Sequence, residues 1–580
     1  METTVRGTEP LVVTGAPVVT GRPGGMAGRV RRQPTDGYRA EVLGCVTDPA
    51  LTYRQRVQRL AALAEGMLEP PPVSAACRAA QAAGVVHDMG EGPAPYRPRY
   101  VLPDYALALA GGAAHLELEP ARDLDEALAL LLAAYASVPS ITGYPVYLGD
   151  LDTLLEPFVD DSVTDADLDR RLTLFWRLVD RTMPDAFVHA DLGPDDGRVV
   201  RSLLRVDRRL RQVVPNLTLR VDPARTPDAL LREAVLTTCA DGKPHYVNDP
   251  MMRADLGPDY GVVSCYNSLP RGGGAYTLAR LDLSASVRRA VPGPLAGRGG
   301  AERVERWLTE VLPGDLALTA ELMASRIRFL VEEARFFEHD RLVLDGLVRR
   351  DRFTAMFGFY GVAEAVAALM TPGAGAGVSP CLGGDAFSRH GTRGTQRRYG
   401  VDDDATALGH RIVAALADLV AATPMPYCEA TGGHALLHAQ SGIDTDLGVT
   451  AGARIPPGSE PPLYEHIRAV APNHVHVPAG ISDVMRFEPT VAANPDAAVA
   501  VIRGAFAAGM RDVTFDVEGN GFVRITGYLV RDADVAGVAA GARHSSTFLG
   551  AAALENQHLR DRVTKCAPLS AGPPPGASGR

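Results

Sequence analysis

The chain has 580 residues, of which 46% are hydrophobic and 22% charged, and a formal net charge of -10. That is ordinary globular composition, long enough for one large α/β barrel or several domains, and the acidic balance argues against a nucleic-acid partner. No apolar run reaches membrane-spanning length, and the seven cysteines (Cys45, Cys77, Cys239, Cys265, Cys381, Cys428 and Cys566) stand singly, with neither disulfide framework nor metal-ligand spacing, as in a reducing cytoplasm.

Residues 1–37 are rich in Gly, Pro, Arg and Thr without periodicity and read as a disordered extension, unlike a secretion signal. From Thr52 a helix is predicted, with Val57, Leu60, Ala64 and Met67 on one face. An irregular polar-aromatic loop runs from Gly90 to Pro103. Helices follow over Asp123–Ala134 and over Asp165–Val179, the latter with Leu168, Leu172, Phe175 and Val179 in one stripe. Leu217–Val221 alternates as a strand, and Thr226-Pro227 is expected to cap a helix through Val235.

Gly261-Val262-Val263-Ser264-Cys265 is an apolar strand ending in a cysteine, before the run Arg271-Gly272-Gly273-Gly274. Such a thiol is either a small buried hydrophobe or a reagent on a glycine-flanked loop. Tyr276–Leu283 reads as a strand, Pro292–Gly300 as a linker, and Glu302–Val311 and Ala320–Phe336 as helices. Phe353–Leu369 is apolar and expected to be mostly helical, so its Glu364 is either a core carboxylate with a backbone partner or a substrate contact. Residues 371–400 form a Gly- and Arg-rich insertion, Asp402–Ala421 a helix, and 434–458 a loop-rich segment with His438, Gln440, Asp444, Asp446 and Arg454.

His434 with His438, and His474 with His476 on a presumed strand face, could bind a metal only if a third ligand converged, and no metal site is expected. A helix opened by Asn494-Pro495 closes at Gly509, then Val513, Phe515 and Val517 alternate. Asn520-Gly521 predicts a tight turn, whose returning segment, Phe522 to Val530, carries a bare Gly527 on a hairpin-like finger. A helix is expected over Phe548–Leu559, and 568–580 as a disordered tail. An isolated strand glycine otherwise marks a bulge or a close backbone approach.

Two segments taken together change that reading. Val263-Ser264-Cys265-Tyr266-Asn267-Ser268-Leu269-Pro270 and Arg524-Ile525-Thr526-Gly527-Tyr528 resemble the thiyl and glycyl segments of the YjjI family of glycyl radical enzymes, relatives of pyruvate formate-lyase and anaerobic ribonucleotide reductase. Further stretches are similar to that family: Pro98–Tyr105, Pro184–Phe187, Met356–Glu364 and Leu437–Ile443. The residue types suit the chemistry. A glycine that loses an α-hydrogen flattens with no side chain to clash, and an S–H bond is close enough in strength to an activated C–H bond for hydrogen to pass both ways.

The resemblance implies a ten-stranded α/β barrel of two five-stranded halves over 38–490, carrying the cysteine loop, and a C-terminal glycyl radical domain over 491–567. It implies a radical stored on Gly527, a thiyl on Cys265, and activation by a separate S-adenosylmethionine iron-sulfur enzyme, with a small-molecule substrate, no membrane partner and room for a homodimer. Further substrate or supporting candidates are Asn267, Glu364, His438, Gln440, Arg454, Arg524 and Tyr528.

Departures from family patterns narrow the chemistry. Where many dehydratases and decarboxylases of this kind carry a glutamate two residues after the thiyl cysteine, this chain has Asn267; Ser264 stands where pyruvate formate-lyases have a second cysteine; and the four-cysteine zinc site of the anaerobic reductases has no counterpart. The expectation is hydrogen abstraction from a small metabolite leading to C–C or C–O cleavage, with a reductase-like enzyme or a non-catalytic radical store as alternatives.

Overall fold

A computed structural model describes residues 35–48, 51, 53–89, 91–92, 94–141, 143–183, 187–264, 266–371, 397–439, 449–481, 483–525, 528–533 and 536. The predicted helix Phe548–Leu559, most of the 1–37 and 371–400 stretches, and the C-terminal tail lie outside them. A helix, Thr35–Thr47, already begins in the last residues of the first of these stretches.

Among the described residues fourteen strands are formed. In chain order they are β1 Val86–Asp88, β2 Tyr100–Leu102, β3 His189–Leu192, β4 Asn216–Val221, β5 His245–Asn248, β6 Tyr260–Val263 and β7 Asn267–Pro270. They continue with β8 Gly273–Asp282, β9 Phe353–Tyr360, β10 Leu436–Ala439, β11 Val484–Phe487, β12 Asp512–Val517, β13 Phe522–Ile525 and β14 Tyr528–Arg531.

Ten of them make two five-stranded sheets. In the first, β8, β9 and β10 run parallel, and β1 and β2 share the outer edge of β8, both antiparallel to it. In the second, β3, β4 and β5 run parallel, β12 joins β5 antiparallel, and β11 runs parallel to β12. The remaining four form two hairpins, β6–β7 and β13–β14.

The parallel strands connect through helices, and this explains their composition. Arg198–Leu210 links β3 to β4 and Asp228–Asp241 links β4 to β5, the two helices packing against each other on one face of the sheet, while Tyr266 of the β6–β7 hairpin lies against His245 on the other. Every residue of β4 is buried, and its apparent alternation therefore marks no solvent face. The helix Asp165–Thr182 buries the predicted stripe of Leu168, Leu172, Phe175 and Val179, and the Thr164 side chain accepts from Asp167 N at its start. Asp228–Asp241 runs further than predicted. Its cap is Pro227, while the Thr226 hydroxyl goes to the Pro194 carbonyl at 2.8 Å.

Two other expectations change. Phe353–Leu369 is a fully buried strand, β9, followed by the helix Val362–Met370; an apolar run of that length does not distinguish a buried strand from a helix. The Gly272–Gly274 run is not a loop beyond the cysteine, because Gly273 and Gly274 already belong to β8. A Cβ on Gly273 would strike the Arg352 carbonyl, and one on Gly274 the Tyr100 carbonyl.

β8 carries an irregularity between Ala275 and Leu278. The buried Glu91 fills it, accepting from Leu278 N at 2.7 Å and from the Thr277 hydroxyl at 2.6 Å. Arg99 and Arg326 pair with the same carboxylate at 3.3 and 3.4 Å. The loop at Gly90–Gly92 therefore serves the sheet. Glu91→Ala would remove the carboxylate partner of the buried Arg99 and leave Leu278 N–H unpaired, while Arg326 keeps Asp88 and the Gly92 carbonyl, and it is expected to cost about 3 kcal/mol in urea unfolding, with Glu91→Gln intermediate.

Candidate active site

The hairpin β6–β7 pairs Val263 with Asn267, so Ser264, Cys265 and Tyr266 form its tip. Cys265 itself lies outside the described residues. Both neighbours adopt left-handed backbone, Ser264 at φ 53° and Tyr266 at φ 65°, at a cost of roughly 1–2 kcal/mol each for non-glycine residues. The tip is braced from several directions. The Tyr100 hydroxyl reaches the Ser264 hydroxyl at 3.3 Å, and the Tyr266 ring lies 3.7 Å, centroid to centroid, from the ring of His245. Gly480 approaches the Tyr266 carbonyl so closely that a Cβ there would overlap it.

The stem of the hairpin is tied to both sheets. On the β3 side, Asp191 Oδ2 accepts from Val262 N at 2.7 Å. Asp191 pairs with Arg220, which also pairs with Asp150, and Arg271 from the end of the hairpin joins Asp150 at 2.7 Å. Burial pushes the Asp191 carboxyl up to about 7 against the pull of Arg220. On the β10 side, Ser268 N donates to the Ala479 carbonyl, and residues 479–480 hydrogen-bond to Leu437 and Ala439.

The second predicted segment arrives at the same place. β13 and β14 pair Ile525 with Tyr528, which leaves Thr526 and Gly527, both outside the described residues, as the connection between the strands. The chain does turn at Asn520-Gly521, where Asn520 Oδ1 accepts from Phe522 N at 3.0 Å, but the strand that follows, β13, pairs with β14 and not with β12. Arg524, three residues before Gly527, donates through one terminal nitrogen to the Tyr266 hydroxyl and through the other to the Gly242 carbonyl. Leu529 packs onto Gly242 from the opposite strand. The residue next to Cys265 and the hairpin that carries Gly527 are thus in direct contact. Tyr528 takes part as the backbone partner of Ile525.

A histidine cluster that sequence reading passed over underlies the cysteine tip. His189 Nε2 meets the Thr218 hydroxyl at 2.6 Å, the same hydroxyl lies 3.2–3.3 Å from the ring nitrogens of His245, and His245 Nδ1 meets the Leu217 carbonyl at 3.0 Å. Burial pushes His189 down to about 3 and His245 well below the ordinary range, so both imidazoles are neutral. Their signal is the register of β3, β4 and β5, which no single strand pattern displays.

Of the other candidates, Asn267 is buried at the start of β7, and its Oδ1 has no hydrogen-bond partner among the described residues. His438 is buried on β10, with Nδ1 3.0 and 2.9 Å from the Ala479 and Gly480 carbonyls, which places it one residue behind Tyr266. Glu364 is not brought to the tip: its Oε1 accepts from Thr450 N at 3.0 Å and from the Thr450 hydroxyl at 2.6 Å, which makes it a carboxylate holding the 449–450 strand of chain. Burial raises it, and Thr450 opposes the rise. Arg454 acts electrostatically on Asp483, and Gln440 lies outside the described residues.

His474 ends the helix Leu463–His474, so it does not share a strand face with His476. Among the described residues no group of three or more His, Cys, Asp or Glu is arranged to hold a metal ion, and no helix is long and apolar enough to cross a membrane.

Solved structures with this architecture are glycyl radical enzymes. Hydroxyproline dehydratase from Clostridioides difficile superposes with a TM-score of 0.62 at 14% identity, covering 85% of this chain and 86% of its own. The B12-independent glycerol dehydratase from Clostridium butyricum gives 0.62 at 12% identity, covering 91% and 88%. The fold is that of this enzyme class. The profile of the YjjI-like glycyl radical enzymes matches residues 51–565, and the YjjI protein of Escherichia coli K12 is 44% identical over 519 residues, 89% of this chain and 94% of its own length. This chain belongs to the YjjI-like family of glycyl radical enzymes.

The neutral histidines set an acid limit. His189 and His474 sit at about 3 and His245 well below 6.5, so in each case the unfolded chain takes up a proton that the folded protein refuses. Each of these histidines therefore makes stability fall as pH drops below about 6.5, by about 1.4 kcal/mol per unit. Asp152 and Asp191, whose carboxyls burial raises to about 7, act in the opposite sense over the same window, because the folded protein keeps a proton that the unfolded chain has lost; His466, raised by Asp483, titrates above the window. The histidine share is therefore read by difference: in urea unfolding from about pH 6.5 to about pH 4.5 the parent should lose stability relative to His189→Gln by about 1.4 kcal/mol per unit, and a constant gap between the two would overturn this reading of His189.

Proposed function

We propose that this protein stores an unpaired electron on Gly527 and transfers it to Cys265, whose thiyl radical abstracts hydrogen from a small-molecule substrate. The observation that carries this reading is the Arg524 contact with Tyr266, which ties the hairpin of one residue to the neighbour of the other. In the transfer, the Gly527 α-carbon radical takes the hydrogen atom of the Cys265 S–H bond, leaving glycine whole and sulfur with the unpaired electron. The reverse step restores the store after turnover.

The surroundings support radical chemistry more than proton chemistry. Asn267 stands two residues after the cysteine and cannot act as a carboxylate base, and the nearest imidazoles are held neutral. The fold-level neighbours hydroxyproline dehydratase and glycerol dehydratase favour C–O cleavage over C–C cleavage. A reductase-like reading leaned on the Met356–Glu364 segment, and Glu364 is engaged by Thr450. The radical would be installed by a separate S-adenosylmethionine iron-sulfur activase, because the chain's scattered cysteines offer no cluster site of their own. Both described neighbours of Cys265, Ser264 and Tyr266, are buried, which supports a site from which water is kept.

Anaerobic activation should yield an electron paramagnetic resonance doublet from the one hydrogen left on the Gly527 α-carbon. Gly527→Ala should abolish it, and a doublet unchanged in that variant would sink the assignment. Dioxygen adds to a backbone radical and breaks the main chain, so air should cut activated protein at Gly527 and leave unactivated protein whole, as read by mass spectrometry.

Cys265→Ala should still accept the radical at Gly527, with the doublet at parental amplitude, and should not turn over. Retained activity in Cys265→Ala would move the catalytic thiol elsewhere.

A further inference from the structure

Among the lysines and arginines, which total 59, only Lys243 and Lys565 are lysine. In a chain that otherwise uses arginine for its positive charge, Lys243 stands out by place as well as by type. It is 1% exposed, and its Nζ donates to Asp207 Oδ1 at 2.8 Å and to the Pro215 carbonyl at 3.0 Å, with Asp241 Oδ2 3.9 Å away. Asp207 and Asp241 are wholly buried, and Asp207 Oδ1 also receives Trp176 Nε1 at 2.9 Å. Burial and then the Asp207 carboxylate drive Asp241 upward, and the Lys243 ammonium beside it opposes the rise. A compact ammonium suits such a sealed space; a guanidinium brings five donors that would each need an acceptor.

The cluster fixes a turn with two functions. Asp241 ends the helix Asp228–Asp241, its Oδ1 accepts from Lys243 N at 3.1 Å, and Gly242 follows at φ 84°. The Gly242 carbonyl is one of the two acceptors of Arg524, and its Cα is the floor on which Leu529 rests: a Cβ there would lie 2.9 Å from Leu529 Cδ2. Two residues past Lys243, His245 supports the ring of Tyr266, the other acceptor of Arg524. Both ends of the contact between the Gly527 hairpin and the Cys265 tip therefore descend from the turn that Lys243 holds.

We infer that Lys243 is a positioning residue for hydrogen transfer between Gly527 and Cys265: through the 241–244 turn it sets where the hairpin seats against the cysteine tip. This rests on the roles assigned to Gly527 and Cys265 above.

The experiment uses the full chain, activated anaerobically and moved into D2O. A thiol exchanges its hydrogen with water, so a Cys265 S–D bond delivers deuterium to the Gly527 α-carbon. The return step takes the lighter hydrogen in preference, and the doublet collapses to a singlet because deuterium couples weakly. In the parent the collapse should be complete. In Lys243→Met combined with Asp207→Asn, which removes both charges together, the doublet should form at parental amplitude but collapse about tenfold or more slowly. Gly242→Ala should slow it similarly with the lysine cluster intact.

A collapse within about twofold of the parental rate in the folded double variant overturns the inference. Should that variant not fold, Gly242→Ala decides: slowing supports the seat and a parental rate overturns it. A parent that gives no doublet overturns the radical reading itself, and this inference with it.

Discussion

One guanidinium group joins the hairpin that carries Gly527 to the hairpin tip that carries Cys265. Arg524 lies on the strand that leads to Gly527, and it donates to a hydroxyl beside Cys265 and to a helix-terminal carbonyl. Charge-assisted hydrogen bonds of this kind are directional, and a planar fork with two acceptors fixes orientation as well as distance. The acceptors come from different elements, the β6–β7 tip and the turn before β5. Their relative position is therefore set by the second sheet, and the first sheet enters through the 479–480 segment behind Tyr266. The fold can be read outward from that contact.

Charge is handled differently on the two sides of the cysteine tip. Beneath its stem lies an ionic network of Asp150, Asp191, Arg220 and Arg271, where each acid faces a base and buried charge is balanced locally. Beside the tip itself are neutral imidazoles, hydroxyls and a primary amide, from His189, His245, Thr218, Tyr100 and Asn267, together with the Arg524 guanidinium, which is engaged by the Tyr266 hydroxyl and the Gly242 carbonyl. An unpaired ion would draw in water. The ionic network thus braces the backbone of the stem, and the polar groups around the tip are mostly neutral.

Much of this was legible in the sequence where the signal is local. The capped, striped helix beginning at Asp165 is one case, and the two short segments around Cys265 and Gly527 are another. What escaped depends on pairing between distant segments. β7 is four residues long and ends in proline, so it offers no pattern, and it becomes a strand only because Val262 and Val263 pair with it. β9 is apolar throughout, a pattern a buried helix shares, and its neighbours β8 and β10 decide the matter. The turn at Asn520-Gly521 was a sound local signal, yet β12 is taken up by β5 and β11, and the next strand finds its partner after Gly527. Glu364 and the histidine cluster fall in the same class, since side-chain partners 27 to 86 residues apart leave no mark on either segment.

The paired left-handed residues that flank Cys265 bear on how the protein is made. Ser264 and Tyr266 hold an unfavourable backbone only because Tyr100, His245 and Gly480 brace them, and those supports are spread over most of the chain. During synthesis the cysteine emerges long before residue 480 does, at a stage when its loop is free to relax into ordinary β or helical backbone. The left-handed pair at 264 and 266 can therefore form only once the distant parts of the chain have closed around the hairpin tip. The backbone that flanks the proposed thiyl residue is thus a late product of folding, assembled when segments from residue 100 to residue 480 are all in place.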